Sequence, residues 1–287
     1  MKDNHLYEKH RNRYLTDPAI LKLVKHDMTY ILGARCCDGV VLVGDTKITI
    51  DEGSDYAYGK KITRPFPNGN VVMGASGIGG LYKDFSNRVV STIIEMDAHK
   101  EEYSPIVTEE QFGVLVNKVI REMHTDYDKD RHMILNNLMV ICASRINGQT
   151  AVLTIFNPYG FPEPVDKARV IGHGEPYGAL FLKKMWNPRM TMEETAKLGI
   201  FVIKFIEDMK IDNSVGFNEE FLPQVYCVPD IIYPKRALNP SKRKIQEMLE
   251  KYPIRELSPD DVKYYINEVS SKISDFENLF KQGKFKL

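Results

Sequence analysis

An excess of charge of either sign is missing from this chain. Lys and Arg total 39 and Asp and Glu total 39, so the formal charge is zero. Nothing in that balance points to nucleic acid or an anionic membrane surface. Long apolar runs are missing too, and none approaches the roughly 20 residues of a membrane span. Residues 1–28 mix Lys2, Arg11, Arg13 and Lys25 with Asp3, Glu8, Asp17 and Asp27, and lack the continuous apolar core of a secretory signal. A cytoplasmic protein is expected, with neither membrane nor nucleic acid as a partner. Cysteine is scarce: Cys36, Cys37, Cys142 and Cys227, with no C-x-x-C pair. Neighbours on a strand point to opposite faces, so Cys36 and Cys37 cannot act as one clip. Reduced, mostly buried thiols are expected rather than disulfides. The seven histidines show no H-E-x-x-H or comparable ligand spacing. Neither a metal nor another cofactor is expected. No internal repeat or low-complexity tract is present.

What the chain does have is a core: 43% hydrophobic and 27% charged residues fit a globular protein. Before Thr29 there is only a short amphipathic stretch, Ala19 to Val24. From Thr29 the pattern turns strand-like. Thr29–Arg35 and Val40–Gly44 are β-prone runs around the turn signal Asp38-Gly39. Lys61–Thr63 and Asn70–Met73 follow, separated by a Pro/Gly-rich turn at 65–69. Tyr82, Phe85, Val89, Ile93 and Met96 then recur at helical spacing. A capping box at Thr108-Glu109-Glu110-Gln111 opens a second helix through Phe112, Val116, Val119 and Met123. Strands return at Leu138–Ile146 and Thr150–Phe156 across Asn147-Gly148, with a third at Ala168–Ile171. Helices follow at about Pro176–Met185 and from the capping box Thr191-Met192-Glu193-Glu194. A strand at Gln224–Val228 closes this part.

The order of strands, helix pair, strands, helix pair, strand predicts an α+β fold with two sheets face to face and helices outside. Residues 1–28 read as an extension, 29–229 as the main body and 230–287 as a linker with a C-terminal helical extension. The run Lys242-Arg243-Lys244 reads as a solvated face. Ser258-Pro259-Asp260-Asp261 is a helix start. Val262, Ile266, Val269, Ile273, Phe276 and Phe280 form a stripe that suits docking on the body or on a neighbouring subunit.

The chemistry concentrates at Thr29. Asp45 lies sixteen residues on and Lys61 thirty-two. A threonine hydroxyl is a weak nucleophile until a base takes its proton. If residues 1–28 are removed, the freed α-amine, with a reference pKa near ~8, is a base on the same residue. An adjacent Lys61 ammonium disfavours protonation of that amine and favours a developing alkoxide. Asp45 would hold Lys61 charged and oriented, because the Asp38-Gly39 hairpin folds it back toward Thr29. Gly74-Ala75-Ser76-Gly77 reads as a small-residue turn whose Ala75 N–H serves as oxyanion donor.

These residues, over 29–77, resemble the amino-terminal region of a proteasome β subunit, a member of the N-terminal-nucleophile hydrolase superfamily. The resemblance extends to about residue 228. Thr29 matches the family's nucleophile, Gly39 the glycine of the first hairpin, and Asp45 and Lys61 its aspartate and lysine. Gly172-His173-Gly174 falls where the family has Gly-Ser-Gly. Asp212-Asn213-Ser214 resembles the loop that carries an aspartate and a serine near the threonine amine. Lys47, Ile48 and Met73 match positions near the substrate pocket, and an apolar floor at Met73 suits large apolar side chains. The resemblance implies a four-layer αββα sandwich and threonine-type endopeptidase activity. It also implies a homo- or hetero-oligomeric ring of proteasome-like subunits acting on unfolded polypeptides.

Four features depart from the family pattern. Met28 stands where Gly usually precedes the threonine, and His173 replaces the supporting serine. Asp212 and Ser214 are one residue closer than Asp-x-x-Ser, and residues 229–287 exceed the usual length. Initiation at Met28 followed by methionine removal would expose Thr29 without self-cleavage. A non-catalytic structural subunit of such a ring remains the alternative. An α-type subunit and a small-molecule amidase of the same superfamily have less support.

Overall fold

The computed structural model describes residues 29–50, 55–64, 71–77, 79–98, 109–126, 138–145, 151–157, 160–231, 247–248 and 250–281. The stretch at 19–24, the turns at 65–69 and 147–148, the cap at 108 and the basic run at 242–244 lie outside them.

Strands β1 (Ile31–Arg35), β2 (Gly39–Gly44), β3 (Lys47–Ile50), β4 (Asp55–Tyr58), β5 (Ile62–Thr63) and β6 (Val71–Ser76) come first. Helices α1 (Gly79–Ala98) and α2 (Glu109–Asp126) follow. Then come β7 (Met139–Ser144), β8 (Val152–Phe156), β9 (Pro162–Pro164) and β10 (Ala168–Ile171). Helices α3 (Glu175–Met185) and α4 (Met192–Asp208), strands β11 (Gln224–Pro229) and β12 (Arg255–Glu256), and helix α5 (Pro259–Lys281) complete the order. One antiparallel sheet runs β10-β1-β2-β11-β12 and a second β5-β6-β7-β8-β9, while β3 and β4 form a separate hairpin.

Strand alternation builds three apolar layers. On β2, Val40 and Leu42 point between the sheets, while Val41 and Val43 point out toward α3, α4 and α5. On β6, Val72 points between the sheets, while Val71, Met73 and Ala75 point toward α1 and α2. Both faces of each sheet are covered, which is why these strands read as unbroken apolar runs rather than as alternating ones. Each such side chain contributes about 1.5–3 kcal/mol by leaving water. The result is an α+β, four-layer αββα sandwich.

Helix α4 begins at the expected capping box. The Thr191 hydroxyl accepts from Glu194 N–H at 3.2 Å, and the Glu194 carboxylate accepts from Thr191 N–H at 2.8 Å. Such a cap is worth about 1 kcal/mol. Of the C-terminal stripe, Val262, Ile266 and Val269 dock on the chain's own body in the outer layer with α4, and Lys197 of α4 meets Glu268 of α5 at 3.0 Å; the side chains of Phe276 and Phe280 lie outside the described residues. Ahead of it, β12 adds a two-residue edge to the first sheet. The sequence pattern did not anticipate β12, β9 or the β3–β4 hairpin. Pro162-Glu163-Pro164 and Arg255-Glu256 carry no strand-like composition.

Candidate active site

Register brings the expected residues together. In the β1–β2 hairpin Ile31 lies opposite Gly44. Continuing by one residue sets Tyr30 opposite Asp45, and two bonds close this end. Asp45 N–H donates to Tyr30 C=O at 3.0 Å, and Tyr30 N–H donates to the Asp45 carboxylate at 2.8 Å. Gly39 lets β2 and β11 pair closely at this end, because a Cβ there would lie 2.4 Å from the Val228 carbonyl oxygen on β11. Thr29, immediately before, is buried and touches the turn that follows β10 on its other side. Gly174 N–H donates to Thr29 C=O at 3.2 Å, and a Cβ on Gly172 (φ 98°) would lie 2.1 Å from that oxygen. Only glycine tolerates both the left-handed backbone and the approach.

Lys61 enters just before β5, and its ammonium binds both Asp45 carboxylate oxygens at 2.8 and 2.9 Å. Asp45 is 0% exposed and Lys61 7%. Gly216 N–H adds a donor to Asp45 at 3.3 Å. Burial pushes the Asp45 carboxyl up, and the Lys61 ammonium and the N–H groups of Tyr30 and Gly216 pull it down. All these partners are donors, so the shell fits a carboxylate. Gln224, buried on β11, fixes the Lys61 backbone: its side-chain oxygen accepts from Lys61 N–H at 2.7 Å and Ile62 N–H at 2.9 Å, and its amide donates to Ile62 C=O at 2.9 Å. Sequence reasoning missed Gln224, although a polar residue opening an apolar strand run was a visible signal.

A cavity of about 380 Å³ opens beside this centre. It is lined by Thr29, Ile48, Lys60, Lys61, Thr63, Ala75, Gly77, Tyr82, Lys83, Ser86 and Asn87. Of the expected site residues, Thr29, Lys61, Ala75 and Ile48 meet there, with Asp45 behind Lys61. Lys47 and Met73 do not. The Lys47 ammonium sits 4.0 Å from the centre of the Tyr56 ring. Met73 is fully buried on the helix-facing side of β6, and the Tyr82 hydroxyl donates to its carbonyl at 3.0 Å. The expected apolar floor at Met73 is therefore replaced by Tyr82 and Thr63. The expected turn at Gly74–Gly77 is corrected as well. Gly74, Ala75 and Ser76 pair with β7 as strand, and the bend comes only at Gly77 (φ 125°). Strand β5 pairs β6 no further than Gly74, so past that point β6 borders the cavity instead of another described strand.

His173, Asp212 and Ser214 form a second cluster. His173 Nδ1 lies 2.9 Å from one Asp212 oxygen; the other accepts from Ser214 N–H at 2.9 Å and from the Ser214 hydroxyl. Burial raises the Asp212 carboxyl, but the Ser214 and His173 hydrogen bonds outweigh it and hold it below the usual carboxylate range. The cluster reaches the Thr29 centre through backbone, with Gly172 and Gly174 on one side and Gly216 on the other.

Among the described residues, no group of three or more His, Cys, Asp or Glu gathers as a metal site. Cys37 is exposed, the other three cysteines are buried, and all four are free. No helix among the described residues is long and apolar enough to cross a membrane.

The family described as proteasome subunit matches residues 27–218. Among solved structures, Anbu from Hyphomicrobium sp. strain MC1 is similar with a TM-score of 0.63 and 18% identity, covering 90% of this chain and 98% of that one. Anbu from Yersinia bercovieri, described as an ancestral beta-subunit, is similar with a TM-score of 0.63 and 13% identity, covering 88% of this chain and 96% of that one. No curated protein matches.

Proposed function

The chain belongs to the proteasome subunit family, and from that premise we propose that it is a β-type, threonine-type endopeptidase subunit that hydrolyses peptide bonds of unfolded polypeptides. Removal of residues 1–28 frees the Thr29 amine. The amine, directly or through water, takes the hydroxyl proton as Thr29 Oγ attacks the scissile carbonyl carbon. The Ala75 N–H donates to the oxyanion that forms. The C–N bond then breaks, the leaving amine takes the proton, and water hydrolyses the Thr29 ester to restore the site. Lys61 holds the amine in its basic form and stabilises the developing charge, while Asp45 fixes Lys61. His173, Asp212 and Ser214 position the loops beside the threonine. The subunit works in a ring with proteasome-like partners.

The supporting observation is the buried Asp45–Lys61 pair at 2.8 Å next to Thr29 on one cavity. A buried ion pair is expensive to desolvate and is a weak device for stability alone. Its placement beside a hydroxyl suits catalysis. The test is hydrolysis of peptidyl-coumarin substrates by protein that begins at Thr29. Turnover that vanishes in Thr29→Ala is expected, and wild-type-like turnover in that variant would overturn the mechanism. A correctly processed protein without turnover would favour the non-catalytic ring subunit.

A further inference from the structure

Three cations line the cavity beside Thr29 and, among the described residues, no carboxylate does. Their charges are not equally available. Lys61 is held by Asp45 at 2.8 Å. Lys60 is shared with Glu256 at 3.3 Å, and the Tyr226 hydroxyl donates to that same carboxylate at 2.8 Å. Lys83 has no carboxylate partner among the described residues. The positions three and four away from it on α1 are Gly79, Gly80, Ser86 and Asn87, so the helix supplies no intrahelical ion pair. Neighbouring Asp84 is engaged by Arg88 at 2.9 Å.

Lys83, Ser86 and Asn87 stand at i, i+3 and i+4, which stacks them on one face of α1. All three line the cavity. They present an ammonium, a hydroxyl and an amide, three donor groups side by side. The neighbouring Tyr82–Thr63 pair, also in the lining, offers no such free donor. The Tyr82 hydroxyl has one proton, and it goes to Met73 C=O, which can only accept. Thr63, 2.6 Å from the Tyr82 oxygen, must therefore donate to it. Both protons are committed, and Met73 itself is not part of the lining.

We infer that this cavity selects an acidic side chain of the bound peptide, with Lys83 as the selecting charge and Ser86 and Asn87 as further donors. The inference rests on the proposed function and names its substrate preference. It replaces the large apolar side chain that an open Met73 floor would take.

The experiment titrates protein that begins at Thr29 with tetrapeptide amides that differ only in the last residue, Glu, Leu or Lys, by competition against a fluorescent peptide. The Glu peptide is expected to bind about threefold to fivefold tighter than the Leu peptide, the scale of an exposed ion pair, with the Lys peptide weakest. Salt at ~1 M should shrink the gap, because the Debye length there falls to about 3 Å. Lys83→Glu, an exposed change that leaves the fold intact, should invert the order. Equal affinities, a preference for Leu, no binding of any peptide, or an unchanged order in Lys83→Glu would overturn the inference. Hydrolysis of matching coumarin amides reads the proposed function separately. Turnover without acid preference removes only the selectivity, and acid preference in binding without turnover removes only the peptidase.

Discussion

Asp45 and Asp212 each gather donors around a carboxylate, but one does so inside the sheet layer and the other at the rim of a loop. Asp45 is fully buried and bonded to a lysine and to N–H groups from Tyr30, just before β1, and from the 212–216 loop. Every partner comes from a different part of the fold. Asp212 takes its serine partners from two residues away, and its other partner is the His173 ring, which is 59% exposed. The first centre exists only when both sheets are assembled. The second is mostly local and solvent-facing. Long-range burial makes the Lys61 site rigid and costly to break, while the His173 site can change with little penalty.

That contrast is broken most strongly by Lys61→Ala. It strands the Asp45 carboxylate, and a loss of about 3–5 kcal/mol in denaturant unfolding is expected, together with loss of peptide turnover. Retained stability would mean that the pair is not the buried anchor of this end of the sheet. Thr29→Ala separates chemistry from folding. Turnover should fall about a thousandfold or more, while stability shifts by no more than about 1 kcal/mol.

Asp212→Asn should have a smaller effect, about 1 kcal/mol at neutral pH, and a distinct pH signature. The folded Asp212 carboxyl is held below its ordinary value. Its stabilisation is therefore complete above about pH 4, the unfolded range, and is lost as pH falls through the lower folded value. Unfolding midpoints between pH 5 and pH 2 should converge for wild type and variant at the acid end. Parallel curves would show that Asp212 is not the group responsible. The smallest effect belongs to His173→Ser, within about 0.5 kcal/mol by thermal unfolding, as for an exposed pair.

Legibility followed the same division. Thr29, Asp45 and Lys61 could be read because hairpin register is fixed by Asp38-Gly39 and strand period, so positions far apart in sequence were set close in space. The layers were readable for a similar reason, since unbroken apolar strands must be covered on both faces. Met73 was misplaced because its neighbour in space, Tyr82, lies on α1, and no pattern within β6 says what covers it. The Asp212–Ser214 spacing departs from Asp-x-x-Ser, yet it lets the aspartate accept from the N–H two residues on, as in an Asx turn. The stripe on α5 announced that the helix docks. Its partner face, on α4, depended on β11 and β12 carrying the chain back across the first sheet. Gln224 escaped notice because its role is to hold the backbone of Lys61, a contact 163 residues away in sequence.

The central claim is that Thr29 acts with its own free amine. N-terminal sequencing combined with intact mass, performed on the same preparation that is assayed for peptide hydrolysis, tests it most directly. An active preparation whose chains begin at Thr29 is the expected result. An active preparation whose chains still carry residues 1–28 would contradict the account.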